Sequence, residues 1–269
     1  MIDDAGFITA PVSGALQPEF RGLVEEVVNR LTLRLGDALH SIYLYGSVAQ
    51  GRALPGVSDL DVCLILKRPP TEAENRVIAG IDECRGRYPG VACKTDVDVG
   101  TLADALAPEN LYSWGYWLRH HCRCIYGDDL SVRFPPFRPS KHIALALNGD
   151  VMTVLEKYIA DLNKEETGIQ RRLLRRAAAR RLVRATNILR GDNDADWPDT
   201  LEEYANRFRR RYPCRAADID YFVRESRNPG NDTRDFITRL RQFMTWLGGC
   251  CADIRYNPAP HSLTDSDPQ

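Results

Sequence analysis

Four aspartates on two short apolar segments are the residues of this sequence best suited to chemistry. Asp59 and Asp61 are two residues apart in DLDVCLIL, and Asp96 and Asp98 are two residues apart in VACKTDVDVG. On a strand, residues two apart point to the same face, so each segment would present its carboxylates side by side. Such carboxylates repel each other and resist burial, and a hard cation with oxygen ligands, Mg²⁺, is expected between them.

A set of three carboxylates would suit two magnesium ions. One ion would activate an attacking hydroxyl and the other would steady leaving phosphates. Asp59 and Asp61 would supply two of the ligands, and either Asp96 or Asp98 would supply the third. The other acid of that pair would be available as a general base, and the residues alone leave the two roles open.

The loop ahead of the first acid pair carries residues suited to phosphate. Gly46 would let the backbone approach a phosphate closely, and Ser47 offers a hydroxyl and a backbone N–H. Residues that follow a strand and open a short helix present free N–H groups to an anion. Ser58 either takes part in nucleotide binding or only shapes the turn before Asp59. A phosphate site beside a metal site indicates attack on the α-phosphate of a nucleoside triphosphate.

The stretch YGSVAQGRALPGVSDLDVCLIL resembles the signature of the DNA-polymerase-β-like nucleotidyltransferase superfamily. Gly-Ser, a second Gly, and Ser-Asp-x-Asp occur in the order of that signature, between two apolar strands. Within the superfamily the sequence looks closest to the bacterial aminoglycoside adenylyltransferases of the streptomycin and spectinomycin type, in size, domain order and all-helical second half. The resemblance implies transfer of a nucleoside monophosphate, AMP from ATP, to a hydroxyl of an aminoglycoside, with two Mg²⁺ ions.

The third carboxylate departs from that antibiotic-modifying group. Those enzymes have a Glu, whereas this strand reads TDVDV. Asp96 falls where the Glu would lie, while Asp98 fits the wider superfamily pattern of an acid between two apolar residues. The segment IYGDDL, which is predicted to be a turn, is common among superfamily members of unknown substrate, so the resemblance leaves the acceptor open.

Trp114 and Trp117 lie in WGYWLR, which is similar to a Gly-x-Trp-Leu-Arg segment of the streptomycin and spectinomycin enzymes. In that group the aromatic residue lies near the antibiotic, so the resemblance makes both tryptophans candidates for substrate binding. The alternative is that they pack in the core with Tyr112 and Tyr116, as most aromatic clusters do.

Arg181 and Arg184 belong to an arginine-rich helix, RRLLRRAAARRLVRATNILRG. Arginines at steps of four form one face, which is ordinarily a solvated face of an amphipathic helix. The superfamily often draws a basic residue from the second domain to the triphosphate, and the resemblance therefore makes these two candidates for binding the leaving pyrophosphate. The helix has no interleaved aromatics, so nucleic-acid binding is not favoured.

The segment GDNDADWPDT is an acidic connection between two predicted helices. It is either a surface loop in which Asp199 caps the next helix or a negative surface that attracts a polycationic aminoglycoside.

Apolar periodicity predicts an α/β (α+β) first domain with a small mixed sheet, followed by an all-α helical-bundle domain. Strands are predicted at 41–46, 59–66 and 91–100, and helices at 18–36, 72–86, 109–123, 141–163, 168–190, 199–211, 215–227 and 232–254. The prolines of 133–140 indicate a linker. The predicted divisions are a nucleotidyltransferase domain at 1–138, a helical domain at 139–256 that completes the substrate and nucleotide cleft, and a disordered tail at 257–269.

Composition excludes few classes of protein. The chain has 269 residues, a net charge of −1 and 43% hydrophobic residues, which is ordinary for a globular protein of two domains. No apolar run approaches the length of about 18 residues that a transmembrane helix needs, and the N-terminus has no signal-peptide pattern. The eight cysteines are scattered, which favours reduced thiols and a cytoplasmic location. Nothing indicates the oligomeric state.

Two other functions remain open from the sequence. An AMP-transferring toxin or antitoxin that modifies a protein or tRNA would use the same acids, although such proteins often consist of the first domain alone. A degenerate, non-catalytic nucleotide-binding protein is disfavoured because Gly-Ser and every carboxylate position are intact.

Overall fold

The computed structural model describes residues 2–10 and 15–256, with side chains described as far as residue 250. By its internal contacts the chain divides into two units, Met1–Ala146 and Leu147–Gln269. The domain boundary predicted at residue 138 stays a prediction, and the tail predicted at 257–269 lies outside the described residues. In the part of the chain that the structure describes, each helix is too short or too polar to cross a bilayer.

The first unit contains one four-stranded mixed sheet, which confirms the predicted fold class. Its strands are Leu39–Tyr45 (β1), Leu60–Leu66 (β2), Thr95–Thr101 (β3) and Arg123–Gly127 (β4). The spatial order is β3-β2-β1-β4, with β3 parallel to β2 and with β1 antiparallel to both β2 and β4. β1, β2 and β3 overlap the three strands predicted from alternation and β-branched residues.

Each face of this sheet is covered by a different set of apolar residues. Helix α1 (Pro18–Leu35) starts with proline and ends at Gly36, whose φ of 48° supplies the left-handed turn that ends the helix. Its buried side chains form one cluster with alternate residues of the sheet, Ile42, Leu44, Val62 and Leu64. The opposite face carries Tyr43, Cys63 and Ile65, which cluster with Leu118, Cys122 and Leu130. This second face is the one that the aspartates share.

The other helices of the first unit are short. They are Gly46–Ala49 (α2), Glu72–Ala79 (α3), Leu102–Leu106 (α4) and Tyr116–His120 (α5), and Lys141–Asn148 (α6) follows at its end. The helix predicted at 109–123 is a 3₁₀ turn at Pro108–Asn110, a π turn at Leu111–Gly115 and then α5. A π turn inside a helix is uncommon and often marks a functional segment.

β4 is absent from the elements that the sequence pattern predicts. The pattern predicts a helix as far as residue 123 and a turn at IYGDDL, whereas the helix ends at His120 and Arg123–Gly127 pairs antiparallel with β1. β4 is a half-exposed edge strand of five residues, with Cys124 and Ile125 packing against opposite clusters. So short a strand, with charged and cysteine residues, has no clear alternation, and pairing with the free edge of β1 decides its structure.

The second unit is helical, as predicted. Its helices are Val151–Lys164 (α7), Gly168–Ala185 (α8), Leu201–Arg211 (α9), Ala216–Arg227 (α10) and Thr233–Tyr256 (α11). The single helix predicted at 141–163 is interrupted between α6 and α7. The apolar sides of α7 to α11 form one core, which includes Leu155, Leu182, Phe208, Phe222 and Phe243.

One of the two interpretations of the acidic segment makes Asp199 the cap of α9, but Asp199 does not cap this helix. The N-cap is Thr200, whose hydroxyl accepts a hydrogen bond from the Glu203 backbone N–H, and Glu203 reaches back to the Thr200 N–H. This capping box satisfies two of the backbone donors that the first turn leaves unpaired, which explains why the threonine starts the helix.

Candidate active site

The parallel pairing of β2 and β3 gathers the aspartates on one face of the sheet. Asp61 lies directly opposite Asp96, and Cys63 lies opposite Asp98. Asp59 comes one residue before β2 and is half-buried, like Asp61 and Asp96, whereas Asp98 is exposed. The alternation predicted from the sequence therefore brings the four acids to one face.

Gly46 lies against the carboxylate of Asp61 at the end of β1. Its φ is 69°, which side-chain-bearing residues rarely adopt, and a Cβ atom there would collide with Asp61 Oδ2. Ser47 follows in the single turn of α2, where it is half-buried. Two independent features, the positive φ and the contact with Asp61, therefore require glycine at this position. The close approach keeps backbone beside the acid face, which is the sheet face that carries Asp59, Asp61, Asp96 and Asp98.

Ser58 orders the loop that leads into β2. Its hydroxyl accepts a hydrogen bond from the Leu54 backbone N–H at 2.9 Å, and its carbonyl accepts one from the Cys93 N–H at 3.0 Å. These contacts match the interpretation of Ser58 as a turn residue. Its role in nucleotide binding stays a prediction.

Asp61 is the acid most affected by its surroundings. Its pKa is raised to about 6, chiefly by burial and then by the negative charges of Asp59, Asp96 and Asp98, in that order. Lys94 opposes them, and its Nζ lies 2.6 Å from Asp96 Oδ1. A carboxylate that is held ionised only against burial and like charge would gain from a cation beside it.

Asp98 has a different neighbour from Asp96. The Tyr45 hydroxyl donates a hydrogen bond of 2.5 Å to Asp98 Oδ2. Burial and this bond to the carboxylate together raise the pKa of Tyr45 above its ordinary value, so the phenol keeps its proton and remains the donor.

An aromatic ladder continues from Tyr45 along the same face. The Tyr45 ring packs edge-on to Trp117 with ring centroids 5.0 Å apart, and Trp117 packs edge-on to Trp114 at 5.4 Å. Trp114 lies over Gly100 of β3, where a Cβ atom would collide with its ring. Both tryptophans pack against the core cluster yet remain half-exposed, so the structure is compatible with packing and with stacking on a substrate.

The donor set suits magnesium, although it is not gathered around one point. In the described residues, no three acidic, histidine or cysteine side chains converge as ligands of a metal ion. Asp96 is turned to Lys94 and Asp98 to Tyr45, which accounts for this. Oxygen donors of like charge beside a half-buried Asp61 nevertheless have the chemistry of a magnesium site, so the residues present fit that ion.

The two arginine candidates lie in the second unit, on α8. Arg181 donates to Asp150 Oδ1 at 2.5 Å and to the Leu147 carbonyl at 3.2 Å. Arg184 is exposed on the solvated side of the helix, with Arg172 and Arg176. Their role in binding phosphate stays a prediction.

The acidic connection before α9 is largely neutralised within its own unit. Arg207 pairs with Asp194 and Asp196, and the buried guanidinium of Arg190 donates to the carbonyls of both residues. This pairing favours the interpretation of the segment as an ordered surface loop rather than as a surface for a polycation.

Sequence reasoning missed Tyr45 and Lys94, which contact Asp98 and Asp96. A signal was present for each. Tyr45 directly precedes Gly46 and shares strand parity with Tyr43, and Lys94 precedes Asp96 by two residues. The two-residue period would have placed Lys94 on the same face as Asp96, whereas placing Tyr45 there also requires its pairing with Asp61 across β1 and β2.

Comparison with known proteins agrees with this geometry. Residues 24–110, which include Gly46 and all four aspartates, match the family model described as "Nucleotidyltransferase domain". No curated protein sequence matches the chain.

Among solved structures, the fold is similar to that of spectinomycin adenyltransferase AAD(9) from Enterococcus faecialis, which was determined with ATP and spectinomycin. The TM-score is 0.58 at 14% sequence identity, covering 86% of this chain and 99% of that one. At this identity the similarity establishes the fold, while the family model establishes the domain. Residues 24–110 are therefore a nucleotidyltransferase domain, and the Gly-Ser and Asp-x-Asp signature within it resembles the polymerase-β-like kind.

Proposed function

We propose that the protein transfers AMP from ATP to a hydroxyl of a small cationic acceptor, an aminoglycoside antibiotic. The observation that carries the proposal is the gathering of four aspartates on one sheet face, beside a glycine whose backbone touches Asp61. Gly46 and Ser47 would hold the β- and γ-phosphates. Asp59 and Asp61, with Asp96 or Asp98, would hold two Mg²⁺ ions.

The residues of the chain would act mainly by positioning. Magnesium, when bound, supplies charge that neutralises the triphosphate and favours the departure of pyrophosphate. The backbone at Gly46 would fix the phosphates, and an acid of β3 would accept the proton of the acceptor hydroxyl. Arg181 and Arg184 would add positive charge for the pyrophosphate.

The choice of an aminoglycoside rests on three observations. The similar fold belongs to an enzyme solved with spectinomycin. The half-exposed Trp114 and Trp117 offer a stacking surface, which suits a ring-shaped ligand. The acid face would attract a cationic ligand by its field. Antibiotic resistance would then be the biological role, and the predicted cytoplasmic location would give access to ATP.

The test is a transfer assay with ATP labelled at the α-phosphate, Mg²⁺, and a panel of streptomycin, spectinomycin, kanamycin, tRNA and a protein extract. We expect label on one aminoglycoside. Label on tRNA or on a protein band would instead assign the chain to the AMP-transferring toxin or antitoxin class. Tight ATP binding that does not need Mg²⁺, with no labelled product, would contradict the enzymatic proposal.

A further inference from the structure

The two acids of β3 occupy different positions relative to the acids of β2. Asp96 is the direct cross-strand partner of Asp61, whereas Asp98 is the partner of Cys63. Because the strands are parallel, the step from Asp96 to Asp98 leads away from Asp59. Two residues along a strand correspond to about 6.6 Å. Asp59, Asp61 and Asp96 therefore form one group, and Asp98 lies further along the strand.

The charges around these acids follow the same division. Lys94 pairs with Asp96 at 2.6 Å, whereas Asp98 bonds to Tyr45. Lys94 is 61% exposed, so its ammonium is a counter-ion that a metal ion can displace at little cost.

Asp98 is held by a residue that packing fixes in place. The Tyr45 hydroxyl donates to Oδ2 of Asp98 at 2.5 Å, and its ring lies against Trp117. Trp117 lies against Trp114, which in turn covers Gly100. This leaves Oδ1 as the Asp98 oxygen that does not bond to Tyr45.

We propose that Tyr45 is a positioning residue that holds Asp98 apart from the metal-binding acids, so that Asp96 is the third metal ligand and Asp98 is the general base. The proposal rests on the proposed transfer reaction. As the acceptor oxygen bonds to the α-phosphorus, its proton passes to Asp98 Oδ1. The bond from the α-phosphorus to the bridging oxygen of the β-phosphate breaks, and pyrophosphate leaves with that electron pair.

Metal binding tests the first half of this division without any acceptor. Binding of Mn²⁺ is measured by electron paramagnetic resonance, in the presence of an ATP analogue whose α–β bridge cannot be cleaved. We expect Asp96→Asn to weaken Mn²⁺ binding by about tenfold or more, because a ligand is lost. Asp98→Asn and Tyr45→Phe should bind Mn²⁺ as the wild type does, within about twofold.

Kinetic measurements test the second part of the proposal, the role of Asp98 as general base and of Tyr45 as its positioning residue. Asp98→Asn should lower kcat by about 100-fold or more, as expected for loss of a general base. Tyr45→Phe should lower kcat by about tenfold with an unchanged KM for ATP, because a hydrogen bond to a charged group is lost. The double variant should be no slower than Asp98→Asn alone, since Tyr45 acts through Asp98.

Tyr43→Phe is the matched control. Tyr43 precedes Tyr45 by two residues on β1, and its hydroxyl contacts the Asp128 carbonyl and the Leu130 N–H instead of an acid. We expect this variant to lose thermal stability but to keep the wild-type kcat. A Tyr45→Phe variant that behaves in the same way would show that the tyrosine is only structural and would overturn the inference.

Other outcomes are equally decisive. Loss of Mn²⁺ binding in Asp98→Asn with retention in Asp96→Asn would reverse the roles and overturn the inference alone. So would an additive effect of Tyr45→Phe in the Asp98→Asn background. A wild-type protein that binds no Mn²⁺ with the analogue and transfers no AMP would overturn the proposed function itself, and this inference with it.

Discussion

Asp61 is the residue of the candidate active site that burial, like charge and a close backbone contact affect most. It is half-buried, lies beside three other carboxylates and touches the backbone of Gly46. A structural strand would gain nothing from this arrangement, because burial and repulsion both penalise its ionised form. A bound cation would offset this penalty on the ionised form. Because the cation binds the ionised carboxylate, its binding is coupled to the protonation of Asp61.

Metal binding should therefore depend on pH near the raised pKa of Asp61, about 6. Below that pH the carboxyl group is protonated and metal must displace a proton, so affinity for Mg²⁺ should fall by up to about tenfold per pH unit. Calorimetric titration between pH 5 and pH 8 measures this. An affinity that is constant across that range would contradict it.

The stability of the metal-free protein should have the opposite dependence. The folded pKa of Asp61 is above its ordinary value of 3.8, so its contribution is most favourable below that value and is lost as pH rises through about 6. Asp61→Asn should therefore stabilise the metal-free protein more at pH 8 than at pH 4, as measured by urea unfolding. Equal effects at both pH values would refute this linkage.

Gly46→Ala should reduce transfer by about 100-fold or more and lower the thermal midpoint, because the new Cβ displaces the Asp61 carboxylate. Gly90→Ala is the matched control, since Gly90 also has a positive φ, 78°, but has open space around its Cβ position. It should cost only about 1 kcal/mol of stability and leave kcat unchanged. Equal losses of activity in both variants would mean that backbone strain, and not the contact with Asp61, is responsible.

The sequence was sufficient to predict that the four aspartates share one face of the sheet, but not which aspartate has which role there. The two-residue spacing of Asp59 with Asp61 and of Asp96 with Asp98 was enough to predict a shared face, because strand alternation is local. The partners of the acids, Tyr45 and Lys94, follow from contacts that the spacing does not determine.

Predicted and observed helices and strands agree best where interactions between residues close in sequence determine the structure. The predicted helices of the second unit have apolar faces and recognisable ends, and they are found with small shifts. β4 depends on pairing with β1, which lies about 80 residues earlier in the chain, and a window of sequence cannot show such a pairing. The break between α6 and α7 was likewise hidden within a continuous helical pattern.

A buried ion pair joins α8 to α10 in the second unit. Arg175 Nη2 lies 2.7 Å from Glu225 Oε2, with only 2% and 5% of the two side chains exposed. Arg175→Met leaves a buried charge unpaired and should cost about 3–5 kcal/mol in urea unfolding, whereas Arg175→Met with Glu225→Leu should recover most of that loss.

Arg176→Met is the control for this pair, because Arg176 is the next residue of α8 and is exposed. It should change stability by no more than about 0.5 kcal/mol. A double variant less stable than Arg175→Met would show that the pair itself, and not the unpaired charge, dominates.

At the scale of the whole molecule, ligand binding should be visible as stability. A ligand that binds only the folded state stabilises it by about 2.7 kcal/mol at 100 times its dissociation constant. We expect ATP with Mg²⁺ to raise the thermal midpoint, and excess chelator to remove most of that increase. An increase that is unaffected by the chelator would contradict a metal-dependent nucleotide site.

The most direct test of the central claim compares AMP transfer by the wild type, Asp59→Asn, Asp61→Asn and Asp37→Asn. Asp37 is an exposed aspartate outside the acid face and serves as the control. We expect Asp59→Asn and Asp61→Asn to keep their fold by circular dichroism but to lose about 1,000-fold or more of kcat, while Asp37→Asn retains the wild-type kcat. Near-normal transfer by Asp59→Asn or Asp61→Asn would contradict the role given to these acids.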